Sequence, residues 1–142
     1  KIPLLSLDKV KSSVDLCRFM GEHQVMIMLK LDGLTIKLTY ENGELVEAAT
    51  RGDGDEGEIV THNARAISGI PAHIQYPGRL VVTGEAFIRP RDFERLNTSI
   101  VDENGETYKN GRNLAAGSVR LRDAGECMER CVTFMLQCSG GF

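Results

Sequence analysis

Two charged side chains stand where the sequence pattern expects core residues. Lys30 falls in segment 24–31, whose alternating apolar residues predict a β-strand. Glu85 falls in a second apolar strand predicted over residues 79–89, and a glycine stands near each charge. Burying an unpaired charge is costly, and glycine lets the backbone approach a ligand closely. The two charges therefore predict one shared polar pocket, although a lysine that reaches water from an edge strand is the ordinary alternative.

The motif Lys30-Leu31-Asp32-Gly33 is suited to chemistry on phosphorus. A lysine attacks phosphorus only when its amine is neutral, and partial burial or a neighbouring cation favours the neutral form. Asp32 follows Lys30 by two residues, so on a strand both side chains share a face. The motif is short and weakly specific by itself. It makes Lys30 a candidate nucleophile, with the Asp32 carboxylate on the same face.

The elements around these residues predict an α+β fold. Asn42-Gly43 tolerates the positive φ of a tight turn and joins strands predicted over 34–40 and 45–50. Segment 24–51 is therefore predicted to be an antiparallel meander. Further strands are predicted over 79–89 and 131–138. Helices are predicted from Ser12 to about Met20 and over residues 58–67, 91–101 and 113–121.

The composition fits one globular domain. The 142 residues are 42% hydrophobic and 26% charged, and the net charge of −3 means that contact with DNA requires a local basic patch or other parts of a protein.

The sequence has no apolar run of ~20 residues and no signal peptide, so we expect a cytoplasmic protein without membrane contact. We also expect a monomer. It starts without Met, so we expect a longer parent chain. The four cysteines lack zinc-site spacing and predict reduced thiols.

Larger blocks of the sequence resemble the NAD-dependent bacterial DNA ligases in order and spacing. Three blocks are Lys30-Leu31-Asp32-Gly33-Leu34, Ala49-Thr50-Arg51-Gly52-Asp53-Gly54 and Gly84-Glu85-Ala86-Phe87. The others lie at residues 5–8, 40–43, 57–58, 93–97 and 112–120. The resemblance covers nearly the whole chain and implies that residues 1–142 are part of an adenylation domain. It also implies a nucleotidyltransferase, ATP-grasp-like fold, with antiparallel sheets, flanking helices and a nucleotide cleft between them.

The resemblance implies a reaction. Lys30 would attack the α-phosphorus of NAD, release nicotinamide mononucleotide and carry AMP. AMP would then pass to the 5′-phosphate of nicked double-stranded DNA, and attack by the 3′-hydroxyl would seal the strand. Mg²⁺ would neutralise charge on the phosphoryl oxygens.

The resemblance also implies roles for three carboxylates. Asp32 matches the motif carboxylate that supports the lysine and the metal step. Glu58 matches an acidic residue that the family requires, although a carboxylate at a helix N-terminus is an equal alternative. Glu85 matches the carboxylate that binds the ribose hydroxyl.

Five further residues are implied in nucleotide binding. Ser6 and Leu7 match the segment that borders the adenosine pocket, and Arg51 matches the arginine that contacts the nucleotide. Arg112 and Arg120 match arginines placed for the phosphates of AMP or the nick, where a bidentate donor fits. Solvated surface charges are the alternative for these last two arginines.

The sequence departs from the family at two positions and in length. Met28 stands where the family has a glutamate that helps to read adenine, and Thr83 stands where it usually has arginine. The later Asp-Gly-Val-Val-x-Lys strand and a following lysine are not in the sequence. We therefore expect that this chain alone does not seal nicks. The alternatives are a ligase-like nucleotide-binding module without catalysis and, ranked last, a structural domain.

Overall fold

A computed structural model describes residues 10–52 and 57–137. Ser6 and Leu7 lie outside the described residues. The chain divides into two compact units, Lys1–Lys30 and Leu31–Phe142. No helix among the described residues is long and apolar enough to cross a membrane.

Residues 10–30, the described part of the first unit, contain one helix, α1, at Ser13–Met20. It begins as the sequence predicts, because the Ser12 side chain accepts a hydrogen bond from the Asp15 amide at 3.1 Å. The strand predicted over 24–31 is wrong. Residues 24–32 form neither helix nor strand, and Ile27 and Leu29 are more than 80% exposed. A strand requires backbone partners, and none of the described strands pairs with this segment.

The second unit is built on a four-stranded antiparallel sheet, which confirms the α+β class. Its strands are β1 at Leu34–Glu41, β2 at Glu44–Thr50, β3 at Arg79–Phe87 and β4 at Thr133–Leu136. Their spatial order is β2-β1-β3-β4. The helices are α2 at Thr61–Ala64, α3 at Pro90–Leu96, α4 at Gly111–Val119 and α5 at Ala124–Glu129.

The predicted hairpin between β1 and β2 is confirmed. Asn42 and Gly43 have φ values of 51° and 88°, the combination that a two-residue turn of type I′ requires. A side chain at residue 43 would also place Cβ 2.5 Å from the Ile74 carbonyl oxygen. The turn sets the pairs next to it, Glu41 with Glu44 and Tyr40 with Leu45, and the register shifts between Tyr40 and Thr39.

The alternation of β1 places the hydrophobic core on one face of the sheet. Ile36, Leu38 and Tyr40 are buried and belong to one cluster with Leu114 of α4 and Cys127 of α5. The side chains between them, beginning with Thr35, point to the opposite face by the period of two. This opposite face carries the polar residues of β1 and β3.

Two predicted helices are shorter than expected, and α5 was not predicted. The helix predicted over 58–67 is the single turn α2, because residues 58–60 pair with the edge of β2. The Thr50 amide donates to the Glu58 carbonyl at 2.8 Å, and the Val60 amide donates to the Ala48 carbonyl at 2.8 Å. The helix predicted over 91–101 ends at Leu96, although Pro90 begins it as expected.

Candidate functional site

Glu85 is one of two buried charged residues among the described residues of the second unit, and Arg130 is the other. Glu85 lies on β3 directly opposite Thr35 of β1, and its residue is 7% exposed. The Gly33 amide donates to Glu85 Oε1 and the Thr35 hydroxyl donates to Oε2, each at 3.1 Å. A buried carboxylate is tolerated when such donors satisfy it. The carboxylate is therefore held in one orientation by the start of the neighbouring strand.

Gly33 is at this position because its backbone approaches β3 closely. A Cβ at residue 33 would lie 2.1 Å from the Ala86 carbonyl oxygen, far inside van der Waals contact. The glycine thus brings its own amide to Glu85 and sets the position of the preceding residue, Asp32. The sequence analysis expected glycine to allow a close approach to a ligand, and the close approach that the structure shows is to β3.

Asp32 and Arg112 form an ion pair at the start of β1. Asp32 Oδ1 lies 3.7 Å from Arg112 Nη1, and the two side chains are 75% and 61% exposed. Arg112 stands in the first turn of α4, whose N-cap Asn110 accepts a hydrogen bond from the Asn113 amide. The helix start therefore presents the guanidinium beside the motif carboxylate.

Glu58 and Arg120 form a second ion pair near the end of β2. The Glu58 amide donates to the Thr50 hydroxyl at 3.0 Å, which ties this carboxylate to the strand end. Arg51 directly follows Thr50, and its amide donates to the Thr35 carbonyl at 3.0 Å. Arg51 thus lies beside β1, whose Thr35 hydroxyl donates to Glu85.

The sheet topology brings these groups to one edge of the sheet, by which we mean the side at which β1 begins and β2 and β3 end. In an antiparallel sheet the start of β1 adjoins the ends of β2 and β3. Asp32 precedes β1, Arg51 follows β2, and Glu85 lies near the end of β3. Six of the predicted site residues therefore meet at this edge: Asp32, Arg51, Glu58, Glu85, Arg112 and Arg120.

The electrostatics of this edge favour an anionic ligand that competes for arginine. Exposed ion pairs contribute roughly 0–1 kcal/mol, because water solvates both partners well. A phosphate offers a guanidinium a bidentate, charge-assisted contact. Arg112 and Arg120 can therefore exchange a weak carboxylate partner for a phosphate at little cost.

Comparison with known proteins gives the family of the chain. The family model of the NAD-dependent DNA ligase adenylation domain matches residues 1–140. The chain belongs to this family. It is 48% identical over 132 residues to a DNA ligase of Ruminiclostridium cellulolyticum, covering 93% of this chain and 20% of that protein.

Two further relatives give the same result. A DNA ligase of Lachnoclostridium phytofermentans is 47% identical over 131 residues, covering 92% of this chain and 20% of that protein. A DNA ligase of Halorhodospira halophila is 45% identical over 133 residues, covering 85% of this chain and 19% of that protein. The chain spans about a fifth of the length of these ligases.

The motif lysine of this adenylation-domain chain is not in the buried strand that was predicted. Lys30 ends the first unit in the exposed segment without regular structure. Met28, the first departure from the family pattern, is also exposed, at 47%. Neither residue lies on a strand, which is part of the correction to the strand predicted over 24–31.

Thr83, the second departure, lies on β3 opposite Lys37 of β1. Lys37 Nζ forms an ion pair with Glu47 Oε1 at 3.1 Å on the other side of β1. The only sequence signals for Thr35 and Lys37 were their places in the alternation of β1, on the face opposite the core. The sequence reasoning missed both, because the cross-strand register was not known.

Proposed function

We propose that residues 1–142 are part of the adenylation domain of an NAD-dependent DNA ligase, with a nucleotidyltransferase, ATP-grasp-like fold. The single observation that best supports this proposal is the buried, hydrogen-bonded carboxylate of Glu85 near the sheet edge at which the ion pairs Asp32–Arg112 and Glu58–Arg120 also lie. Asp32 at this edge is joined to Lys30 through one residue. Such an arrangement suits a ribonucleotide, which presents hydroxyls and phosphates together.

The reaction proposed for this domain is transfer of AMP to Lys30. The neutral Lys30 amine attacks the α-phosphorus of NAD, a P–N bond forms, and the amine loses a proton. The bond from that phosphorus to the bridging oxygen breaks, and nicotinamide mononucleotide leaves with the oxygen. In the whole ligase, AMP then passes to the 5′-phosphate of a nick in double-stranded DNA. The 3′-hydroxyl attacks next, and AMP is released.

The other site residues bind and orient the nucleotide in this proposal. Glu85 accepts a hydrogen bond from a ribose hydroxyl, using carboxylate lone pairs beyond those that bind Gly33 and Thr35. Arg51 contacts the nucleotide, and Arg112 and Arg120 bind phosphate oxygens. When phosphate binds Arg120, Glu58 keeps its hydrogen bond to Thr50 through its amide, so its place at the site is retained.

Two further residues, Ser6 and Leu7, would border the adenosine.

Asp32 is the residue that fits a Mg²⁺ ion. The described residues contain no group of three or more His, Cys, Asp or Glu arranged to hold a metal. Mg²⁺ commonly takes one or two carboxylates together with substrate phosphates. The Asp32 side chain is 75% exposed, so its oxygens are accessible. Asp32 and the nucleotide phosphates would hold the ion, which would neutralise charge on the phosphoryl oxygens.

Intact mass spectrometry tests the proposal. After incubation with NAD and Mg²⁺, we expect the chain to gain the mass of one AMP, and we expect Lys30→Ala to gain none. Arg18→Ala is the matched control, because Arg18 is an exposed cation of the same unit outside the motif. An adduct of equal yield on Lys30→Ala would refute the role of Lys30.

A catalytically degenerate nucleotide-binding module is the second candidate, and Met28 and Thr83 favour it. Methionine offers adenine no carboxylate acceptor, and threonine offers no cation. Calorimetry that shows AMP binding, together with no adduct by mass, would support this candidate over the first. In either case we expect no sealing of nicked DNA by this chain alone in a gel assay.

A further inference from the structure

Thr35 connects two of the proposed nucleotide-binding residues. Its hydroxyl donates to Glu85 Oε2 at 3.1 Å, and its carbonyl accepts the Arg51 amide at 3.0 Å. It lies directly opposite Glu85 in the pairing of β1 with β3. The backbone contact depends on the strand alone, whereas the contact to Glu85 depends on the threonine side chain.

The Thr35 hydroxyl limits the freedom of the Glu85 carboxylate. Gly33 anchors one oxygen, so the second oxygen could still turn about that anchor if nothing held it. Thr35 holds this second oxygen, and at 7% exposure little water is available to take its place. Each carboxylate oxygen has about two lone-pair sites, so one donor on each leaves acceptor capacity for a ligand hydroxyl in a fixed direction.

We propose that Thr35 is a positioning residue that orients Glu85 toward the ribose of the nucleotide and thereby sets the preference for ribose over 2′-deoxyribose. The inference rests on the proposed function, because it requires an adenine nucleotide at Glu85. Thr35 itself does not contact the reacting atoms. Its effect reaches the ligand through the direction in which Glu85 accepts a hydrogen bond.

Affinities for AMP and 2′-deoxy-AMP, measured by calorimetry on the whole chain, test this role. Thr35→Val keeps the β-branched shape and removes the hydroxyl. We expect it to weaken AMP binding about tenfold, in line with loss of a hydrogen bond to a charged group. Binding of 2′-deoxy-AMP should change less than about twofold, because that ligand lacks the hydroxyl which Glu85 reads. The ratio of the two affinities should therefore fall.

Two matched variants separate positioning from packing. Thr35→Ser restores a hydroxyl and should return the affinity ratio to that of the unaltered chain. Thr39→Val makes the same substitution four residues along the same face of β1, opposite Val81, and should leave the ratio unchanged. Far-UV circular dichroism reports whether Thr35→Val folds. If it does not fold, Thr35→Ala replaces it, and we expect the same change in the two affinities.

The outcomes distinguish this inference from the proposed function. If the unaltered chain binds AMP and Thr35→Val keeps its affinity ratio, the role of Thr35 is refuted and the proposed function stands. An equal loss of both affinities in Thr35→Val would also refute it, because a packing defect explains that result. If the folded, unaltered chain binds neither AMP nor NAD, the proposed function fails, and the inference fails with it.

Discussion

Glu85 shows how a single carboxylate can be buried and still be available to a ligand. Its two donors are neutral, a backbone amide and a hydroxyl, so its charge is not neutralised within this pair of contacts. Arg112 and Arg120, two cations at the same sheet edge, pair with the exposed carboxylates Asp32 and Glu58. A carboxylate is a strong hydrogen-bond acceptor, and a neutral ribose hydroxyl is a suitable donor to Glu85.

Gly33→Ala should destabilise the second unit strongly. The added Cβ would meet the Ala86 carbonyl oxygen at 2.1 Å, so β1 and β3 must separate and the Glu85 hydrogen bond must weaken. We expect a loss of about 2–4 kcal/mol in the free energy of unfolding, measured by urea denaturation. Gly111→Ala is the matched control, because its Cβ would lie 3.4 Å from the nearest atom at a helix start. Equal stability of the two variants would contradict the close approach at Gly33.

The Cys127 thiol should make stability depend on alkaline pH. Burial raises its pKa from 9.0 to about 11. Between these values the unfolded chain loses the thiol proton while the folded chain keeps it, so stability is present below pH 9 and is lost as pH rises toward 11. Relative to Cys127→Ala, the unaltered chain should lose unfolding free energy across this window in denaturant titrations. A constant difference between the two proteins from pH 8 to 11 would contradict a buried, protonated Cys127.

Elements whose signals are local were predictable from the sequence, and those that depend on distant partners were not. The turn at Asn42-Gly43 and the start of α1 at Ser12 rest on neighbouring residues, and both are confirmed. Segment 24–31 has the alternation of a strand, but a strand also needs a pairing partner that no local pattern supplies. The contact of Thr35 with Glu85 spans 50 residues and depends on strand register. The grouping of the site residues at one sheet edge could therefore not be predicted from the sequence.

Asn63 of α2 joins two elements through its side-chain amide. It donates to the Val119 carbonyl at 2.9 Å and to the Leu121 carbonyl at 2.6 Å, at the C-terminal end of α4. Helix ends leave carbonyls without intrahelical partners, and such groups are costly when buried. A one-turn helix can thus contribute more to stability through the hydrogen bonds of one side chain than through its length.

Asn63→Ala should therefore lower the free energy of unfolding by about 2–3 kcal/mol, because the buried Val119 carbonyl loses its donor and the Leu121 carbonyl keeps only its contact with His62. Urea denaturation followed by circular dichroism measures the change. Asn113→Ala is the matched control, since Asn113 is exposed on α4, and its stability should stay within about 0.5 kcal/mol. If Asn113→Ala lowered the free energy of unfolding as much as Asn63→Ala, the result would contradict a specific contribution from the side-chain hydrogen bonds of Asn63.

At the scale of the molecule, the two units differ in how much they bury. None of the described residues 10–30 is buried, and the exposed side chains include Phe19 and Ile27. The second unit holds a contiguous core of sheet and helix residues. Because an isolated helix of eight residues is marginal in water, the first unit has little to stabilise it within its own described contacts.

Hydrogen exchange followed by mass spectrometry should separate the two units. Helices α1 and α4 offer a matched comparison, because each has a side-chain N-cap, at Ser12 and Asn110, and they differ by one residue in length. Helix α4 buries four residues and α1 buries none. Since slow exchange requires opening of packed structure, amides of α4 should exchange at least about tenfold more slowly than those of α1. Equal protection of the two helices would contradict the expectation that burial of side chains, rather than helix length or capping, sets the difference in exchange between them.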